Sequence, residues 1–117
     1  MDVQITPRHL SGTVTPPPSK SMAHRLLIAA ALGSGISTVR GVAMSQDVEA
    51  TLRCLTALGG CWRQTAPGTL EITGIGGHRS APGSALPHLD CGESGSTLRF
   101  FLPIALAVAG GGVFTGQ

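Results

Sequence analysis

Ser19, Lys20, Ser21 and Arg25 fall within Pro18-Ser19-Lys20-Ser21-Met22-Ala23-His24-Arg25, where extended sequence turns into an apolar helix. Lys20 is the only lysine in a chain that carries seven arginines. A helix start presents unpaired backbone N–H groups and a partial positive charge. An ammonium, two hydroxyls and a guanidinium added there form a receptor for phosphate or carboxylate. The segment is not a Walker P-loop, because no GxxxxGK[ST] precedes it. It is not a Ser-x-x-Lys nucleophile pattern either, since position 17 is proline. The blander alternative is a capped helix with a solvated lysine and an arginine that pairs elsewhere.

A second stretch, Asp90-Cys91-Gly92-Glu93-Ser94-Gly95-Ser96-Thr97-Leu98-Arg99, offers similar chemistry. Gly92 and Gly95 allow close approach of a ligand to the backbone. Ser94, Ser96 and Thr97 place hydroxyls beside free helix N–H groups. Glu93 is the awkward member, because a carboxylate repels an anion unless Arg99 or Lys20 neutralises it. Here the plain alternative is a loop and a helix cap.

The other polar candidates say less. Asp47 and Glu49 open a helix and complement its dipole; a salt bridge to a site arginine is the sharper reading. His24, beside Arg25 on an apolar helix, reads as a packed or edge histidine. His9, His78 and His88 have no ligand spacing, so no metal is expected. Cys54, Cys61 and Cys91 are odd in number and lack metal spacing. They read as free buried thiols in a reducing cytosol.

Composition limits the partners. A net charge of +2 is too weak to imply nucleic acid or a membrane surface. Phe100, Phe101, Phe114 and Trp62, with no tyrosine, do not make a stacking platform for single strands. The start of the chain has no basic n-region or apolar h-region, which fits a cytoplasmic protein. The longest apolar run, Phe100 to Phe114, contains Pro103 and three consecutive glycines. It is shorter than the roughly 18 residues of a membrane span, so a buried helix is expected.

The elements that must position these residues follow from periodicity and punctuation. Short strands are expected at 3–6 and 12–15, then an extended Pro16-Pro17-Pro18 segment. A helix over 22–32, capped by Ser19 or Ser21, ends at Gly33-Ser34-Gly35. A strand at 37–42 precedes a helix from Ser45 to about Leu58. A hairpin, 61–65 and 69–73, brackets Ala66-Pro67-Gly68. After a Gly/Ser/Pro-rich loop come a strand at 89–91, a helix over 97–109 and a strand at 113–115. The order is β-α-β-α-β-β, then β-α-β.

The stretch from Ser19 to Ile28 is echoed from Ser94 to Leu102. Both have Ser-x-Ser, an arginine soon after and an apolar helix, and Arg25 and Arg99 lie 74 residues apart. That spacing suits a βαβαββ module, so the chain reads as about one and a half α/β repeats, interrupted at Gln117. The first and third helices are nearly without polar side chains, which predicts burial on every face. Such helices suit a larger assembly, or an oligomer, better than a lone domain of 117 residues.

The two Ser-x-Ser stretches together resemble the EPSP synthase (3-phosphoshikimate 1-carboxyvinyltransferase) family of enolpyruvyl transferases. That family's Pro-Ser-Lys-Ser/Thr-x-x-x-Arg pattern matches Pro18 to Arg25. Its Gly-Asn-Ala-Gly-Thr-x-x-Arg loop aligns on Gly92 to Arg99, and Ser45 to Val48 fits its Ser-x-Asp-Val segment. The sister UDP-N-acetylglucosamine enolpyruvyl transferases carry Lys-Asn at the first site, so Lys20-Ser21 and Arg25 point away from them.

The resemblance implies an inside-out α/β barrel of βαβαββ repeats. Residues 1–15 would join a second domain and residues 16–117 would form the first part of the N-terminal domain. It implies addition of the 5-hydroxyl of shikimate 3-phosphate to phosphoenolpyruvate, with no metal or organic cofactor. Lys20 would touch both substrates, as catalytic and binding residue. Ser21 and Arg25 would hold the shikimate moiety, and Gly95 would lie against phosphoenolpyruvate, where glyphosate competes. Ser96 and Arg99 would complete the binding surface, supported by Asp47, Glu93 and Ser94. Glu93, Ser94 and Ser96 stand where the family has Asn, Ala and Thr, which alters the local charge. The family's proton-transferring acids and further arginines would lie beyond Gln117, so residues 1–117 alone are expected to be inactive. The rival reading is a stand-alone phosphate-binding or regulatory module without catalysis.

Overall fold

The computed structural model describes all residues from Met1 to Gln117. Its elements are α1 (Lys20–Leu32), β1 (Ile36–Arg40), α2 (Gln46–Ala57), β2 (Cys61–Ala66), β3 (Thr69–Thr73), β4 (His88–Asp90), α3 (Gly95–Ala109) and β5 (Val113–Thr115). The architecture is mixed α/β. An antiparallel sheet has the order β1-β3-β2, and β4 pairs in parallel with β5 across the α3 crossover.

The two strands expected before Pro16 do not form. Residues 1–19 have no regular structure and are exposed throughout. A strand needs a partner for its N–H and C=O groups, and no other strand of this chain reaches the segment. Three prolines then remove three donors and hold the backbone extended. This arm lengthens the molecule: the radius of gyration is 17.6 Å, against about 13 Å for a compact chain of some 100 residues.

From Lys20 onward the expected elements are present, with ends displaced by one or two residues. Ser19 caps α1 by accepting from the Met22 N–H at 3.2 Å, and Ser94 caps α3 from the Thr97 N–H at the same distance. Ser45 caps α2 through the Val48 N–H. The echo between the two Ser-x-Ser stretches therefore has a physical content: both first serines cap helices, and Lys20 and Gly95 are the first helical residues.

Leu27, Ile28 and Ala31 of α1 pack with Val48, Leu52 and Leu55 of α2, Val39 of β1, and Leu70 and Ile72 of β3. Leu89, Phe101 and Ala105 extend this core towards the parallel pair. Backbone hydrogen bonds also anchor the α1 C-terminus. Ile75 N–H donates to Ala31 C=O at 2.8 Å and Gly76 N–H to Gly33 C=O at 2.9 Å.

Burial on every face of α1 and α3 is not what the chain shows. Met22 and Leu26 on α1, and Leu98, Leu102 and Leu106 on α3, are exposed. Residues 1–117 contain too few elements to surround both helices: the β1-β3-β2 sheet and α2 cover one side of α1, and nothing covers the other. The expectation of three buried thiols also fails at Cys61, which is exposed in edge strand β2, while Cys54 and Cys91 are buried.

Candidate functional site

Capping by Ser19 starts α1 at Lys20, so Lys20, Ser21 and Arg25 occupy its first two turns. Lys20 Nζ lies 3.5 Å from Asp47 Oδ2. Asp47 sits in the first turn of α2, where it complements the dipole, and its ionic partner is the lysine, not a site arginine. Glu49, the other acid of that turn, makes no ion pair and has the dipole role alone. Arg25 Nη1 donates to the Ser21 carbonyl at 2.9 Å and also to Ser21 Oγ. Its guanidinium carbon stands 5.2 Å from the centre of the Phe100 ring on α3, within cation–π range.

The second cluster is the start of α3. Gly92 has φ +53°, a left-handed conformation that glycine adopts without strain. Its N–H donates to Asp90 Oδ1 at 3.0 Å, and Asp90 pairs with Arg53 at 3.2 Å. Gly95, Ser96, Glu93 and Arg99 are exposed. A Cβ on Gly95 would meet only Arg99 Nη2, at 3.9 Å, so the ground in front of it is open. Ser94 is buried beneath these residues. Glu93 has no ion-pair partner; neither Arg99 nor Lys20 neutralises it here.

Lys20, Ser21 and Arg25 thus form one group, and Gly95, Ser96 and Arg99 another. No direct hydrogen bond or ion pair joins the two. The connection runs underneath, through His24, Thr51, Thr97 and Ser94, each within hydrogen-bond distance of the next. Thr97 Oγ1 also lies 3.5 Å from the Asp47 carbonyl. His24 is packed, as expected. Burial first, and then the charges of Arg25 and Lys20, lower its pKa below the ordinary value, while Asp47 opposes them.

A cavity of about 450 Å³ lies beside these groups, between α2 and the 90–93 turn. Its walls include Asp47, Glu49, Asp90 and Glu93, with Arg53 as the one cation. That wall is mainly acidic and repels anions, whereas Lys20 and Arg25 stand on α1 and Arg99 on α3. The sequence does not single out Thr51, Arg53 or Phe100 as part of the site, nor the pairing of Asp90 with Arg53. Thr51 is 27 residues from His24 and 46 from Thr97, and no motif marks such a triad. Asp90 opens the second stretch, and its carboxylate is the signal from which a pairing with one of the arginines could have been read.

Residues 5–117 match the EPSP synthase (3-phosphoshikimate 1-carboxyvinyltransferase) family. The chain belongs to that family. It is 41% identical to the 3-phosphoshikimate 1-carboxyvinyltransferase of Clostridium beijerinckii over 119 residues, covering 99% of this chain and 27% of the relative. The 3-phosphoshikimate 1-carboxyvinyltransferase of Natronomonas pharaonis is 41% identical over 117 residues, covering 100% of this chain and 26% of the relative. An EPSP synthase from Acinetobacter baumannii superposes with a TM-score of 0.72 at 31% identity, covering 91% of this chain and 24% of that one. The chain spans about a quarter of the length of the relatives it matches. No helix is long and apolar enough to cross a membrane.

Proposed function

We propose that residues 1–117 supply part of the substrate-binding surface of a 3-phosphoshikimate 1-carboxyvinyltransferase. The reaction adds the 5-hydroxyl oxygen of shikimate 3-phosphate to C2 of phosphoenolpyruvate while C3 gains a proton and the hydroxyl loses one; the tetrahedral adduct then loses phosphate from C2 and a proton from C3, forming the enol ether. Lys20 contacts both substrates, and Ser21 and Arg25 hold the shikimate moiety. Gly95 lies against phosphoenolpyruvate, the position at which glyphosate competes; Ser96 and Arg99 complete the binding surface, with Asp47, Glu93 and Ser94 in support. Two anions held in reacting geometry by fixed cations and helix N–H groups need no metal or organic cofactor for this step. Positioning and electrostatics carry much of the rate.

The observation that carries this reading is the pairing of two serine-capped helix starts, Lys20 with Arg25 and Gly95 with Arg99, in a chain that matches the family over residues 5–117. On the same reading the chain forms about one and a half βαβαββ repeats of an inside-out α/β barrel. Residues 16–117 belong to its first domain, and the 1–15 arm pairs with strands of a second. The enzyme acts in the cytoplasm.

The test joins residues 1–117 to the remaining three quarters of the Clostridium beijerinckii relative and measures phosphate release from the two substrates. Turnover by this chimera, abolished by Lys20→Ala, is expected, with none from residues 1–117 alone. A folded chimera that is inactive, or an unimpaired Lys20→Ala chimera, overturns the assignment. Tight binding of shikimate 3-phosphate by residues 1–117 alone would instead favour a stand-alone binding module.

A further inference from the structure

The three helices meet along a line of buried polar atoms. His24 Nδ1 is 2.7 Å from Thr51 Oγ1, Thr51 Oγ1 is 2.9 Å from Thr97 Oγ1, and Thr97 Oγ1 is 2.8 Å from Ser94 Oγ. All four residues are buried, Thr51 and Thr97 completely. No buried side-chain nitrogen or oxygen in the molecule lacks a partner. Burying an imidazole and three hydroxyls is unfavourable unless each is hydrogen-bonded. Valine or alanine at the threonine and serine positions would fill the same space without that constraint. What the polar atoms add is a fixed distance and direction between helices, since hydrogen bonds weaken steeply with misalignment whereas apolar contacts slide.

Both ends of the line lie at the candidate site. His24 is on the second turn of α1, next to Arg25 and one turn after Lys20. Ser94 caps α3 and precedes Gly95. The middle touches the site as well, because Thr97 Oγ1 lies 3.5 Å from the carbonyl of Asp47, whose carboxylate pairs with Lys20. Phe100, one turn after Thr97, carries both the Arg25 guanidinium and, at 6.3 Å between ring centres, His24.

We propose that His24–Thr51–Thr97–Ser94 is a positioning chain that fixes the starts of α1 and α3 relative to each other, with Thr51 as its middle link. It sets the separation between the Lys20–Arg25 group and the Gly95–Ser96 group. The proposal deepens the reading above and rests on it, in that both helix starts are taken to face one pair of substrates. Thr51 touches no substrate on this view; it acts through the residues at the two ends.

The test compares Thr51→Val, which removes the hydroxyl at nearly constant volume, with Thr51→Ser, which keeps it. Amide hydrogen exchange is read at the two caps, Met22 and Thr97, and referred to the β3 amides of Leu70 and Ile72 as a gauge of global opening. With Thr51→Val, both caps should exchange roughly fivefold to tenfold faster relative to β3, the size expected for one lost hydrogen bond. Thr51→Ser should return them to wild-type rates. In the chimera, Thr51→Val should lower kcat/KM by roughly the same factor, and Thr51→Ser should restore it. Caps that move only as much as β3, or Val and Ser variants that behave alike, overturn the proposal. If Thr51→Val does not fold, Thr97→Val should loosen Met22 on the far helix, and an unchanged Met22 overturns the proposal equally. A wild-type chimera without turnover counts against the proposed function alone; the exchange rates still decide the positioning chain.

Discussion

Lys20 Nζ and Asp47 Oδ2 stand 3.5 Å apart, joining the first turn of α1 to the first turn of α2 across an exposed edge. The lysine side chain is 61% exposed and the aspartate 38%. A pair so open to water contributes little to folding, about 0.5 kcal/mol or less. On the proposed function the ammonium serves the substrates, not the fold. Lys20→Ala should therefore leave the urea midpoint of residues 1–117 nearly unchanged while lowering kcat/KM of the chimera by roughly a hundredfold or more. Equilibrium unfolding and steady-state kinetics check the two halves separately.

Gly74 is where β3 leaves the sheet and passes over the end of α1. A Cβ there would lie 2.1 Å from the Gly33 carbonyl oxygen and 2.8 Å from that of Ala30. Both neighbours are backbone, and neither can rotate away. Gly74→Ala should destabilise the chain by about 1–3 kcal/mol through forced backbone movement. The effect should appear as a lower thermal midpoint with faster exchange of the Ile75 and Gly76 amides, which bond to α1. An alanine variant as stable as wild type would mean that the α1 C-terminus is not held by this contact.

The order of elements from Lys20 to Thr115 is legible in the sequence because local signals set it. Serine caps, Gly33-Ser34-Gly35 after α1, Gly59-Gly60 after α2 and the Pro67-Gly68 turn each act within a few residues. The two Ser-x-Ser stretches are legible for the same reason, since each is one helix start. The strands expected before Pro16 are not, because alternation specifies a strand only when another strand is there to pair with it. Thr51 is illegible for a different reason. Its neighbours His24 and Thr97 come from other helices, and a lone threonine in an amphipathic helix has no local mark. The Lys20–Asp47 pair falls between: the acid at a helix start is readable, its choice of a lysine is not.

His24 makes stability depend on pH. Burial, followed by the Arg25 and Lys20 charges, holds its folded-state pKa below the ordinary 6.5, although Asp47 pulls the other way. In the unfolded chain the imidazole takes up its proton near the ordinary value, so between the two pKa values the unfolded state binds more protons. Stability then rises with pH through that window. As pH falls through 6.5, residues 1–117 should lose stability, as a falling urea midpoint between pH 7 and pH 5. His24→Asn, which keeps a hydrogen-bonding side chain without a titrating one, should flatten the slope. An equal slope in that variant would assign the acid sensitivity to other groups.

Cys54 and Cys91 face each other at 4.0 Å between sulfurs in the core, whereas Cys61 lies exposed on β2. Desolvation, reinforced by the neighbouring Cys91, pushes the Cys54 thiol up to about 12, and burial raises Cys91 as well. Since the thiolate is the nucleophile, neither buried sulfur should react at pH 8. A disulfide reagent should therefore titrate one thiol per folded chain and all three in denaturant. Cys61→Ser should remove the fast thiol and leave the two slow ones, whose rate then reports opening of the core between α2 and β4. Rapid labelling of two or three thiols in the folded protein would show that Cys54 and Cys91 are not sealed by this packing.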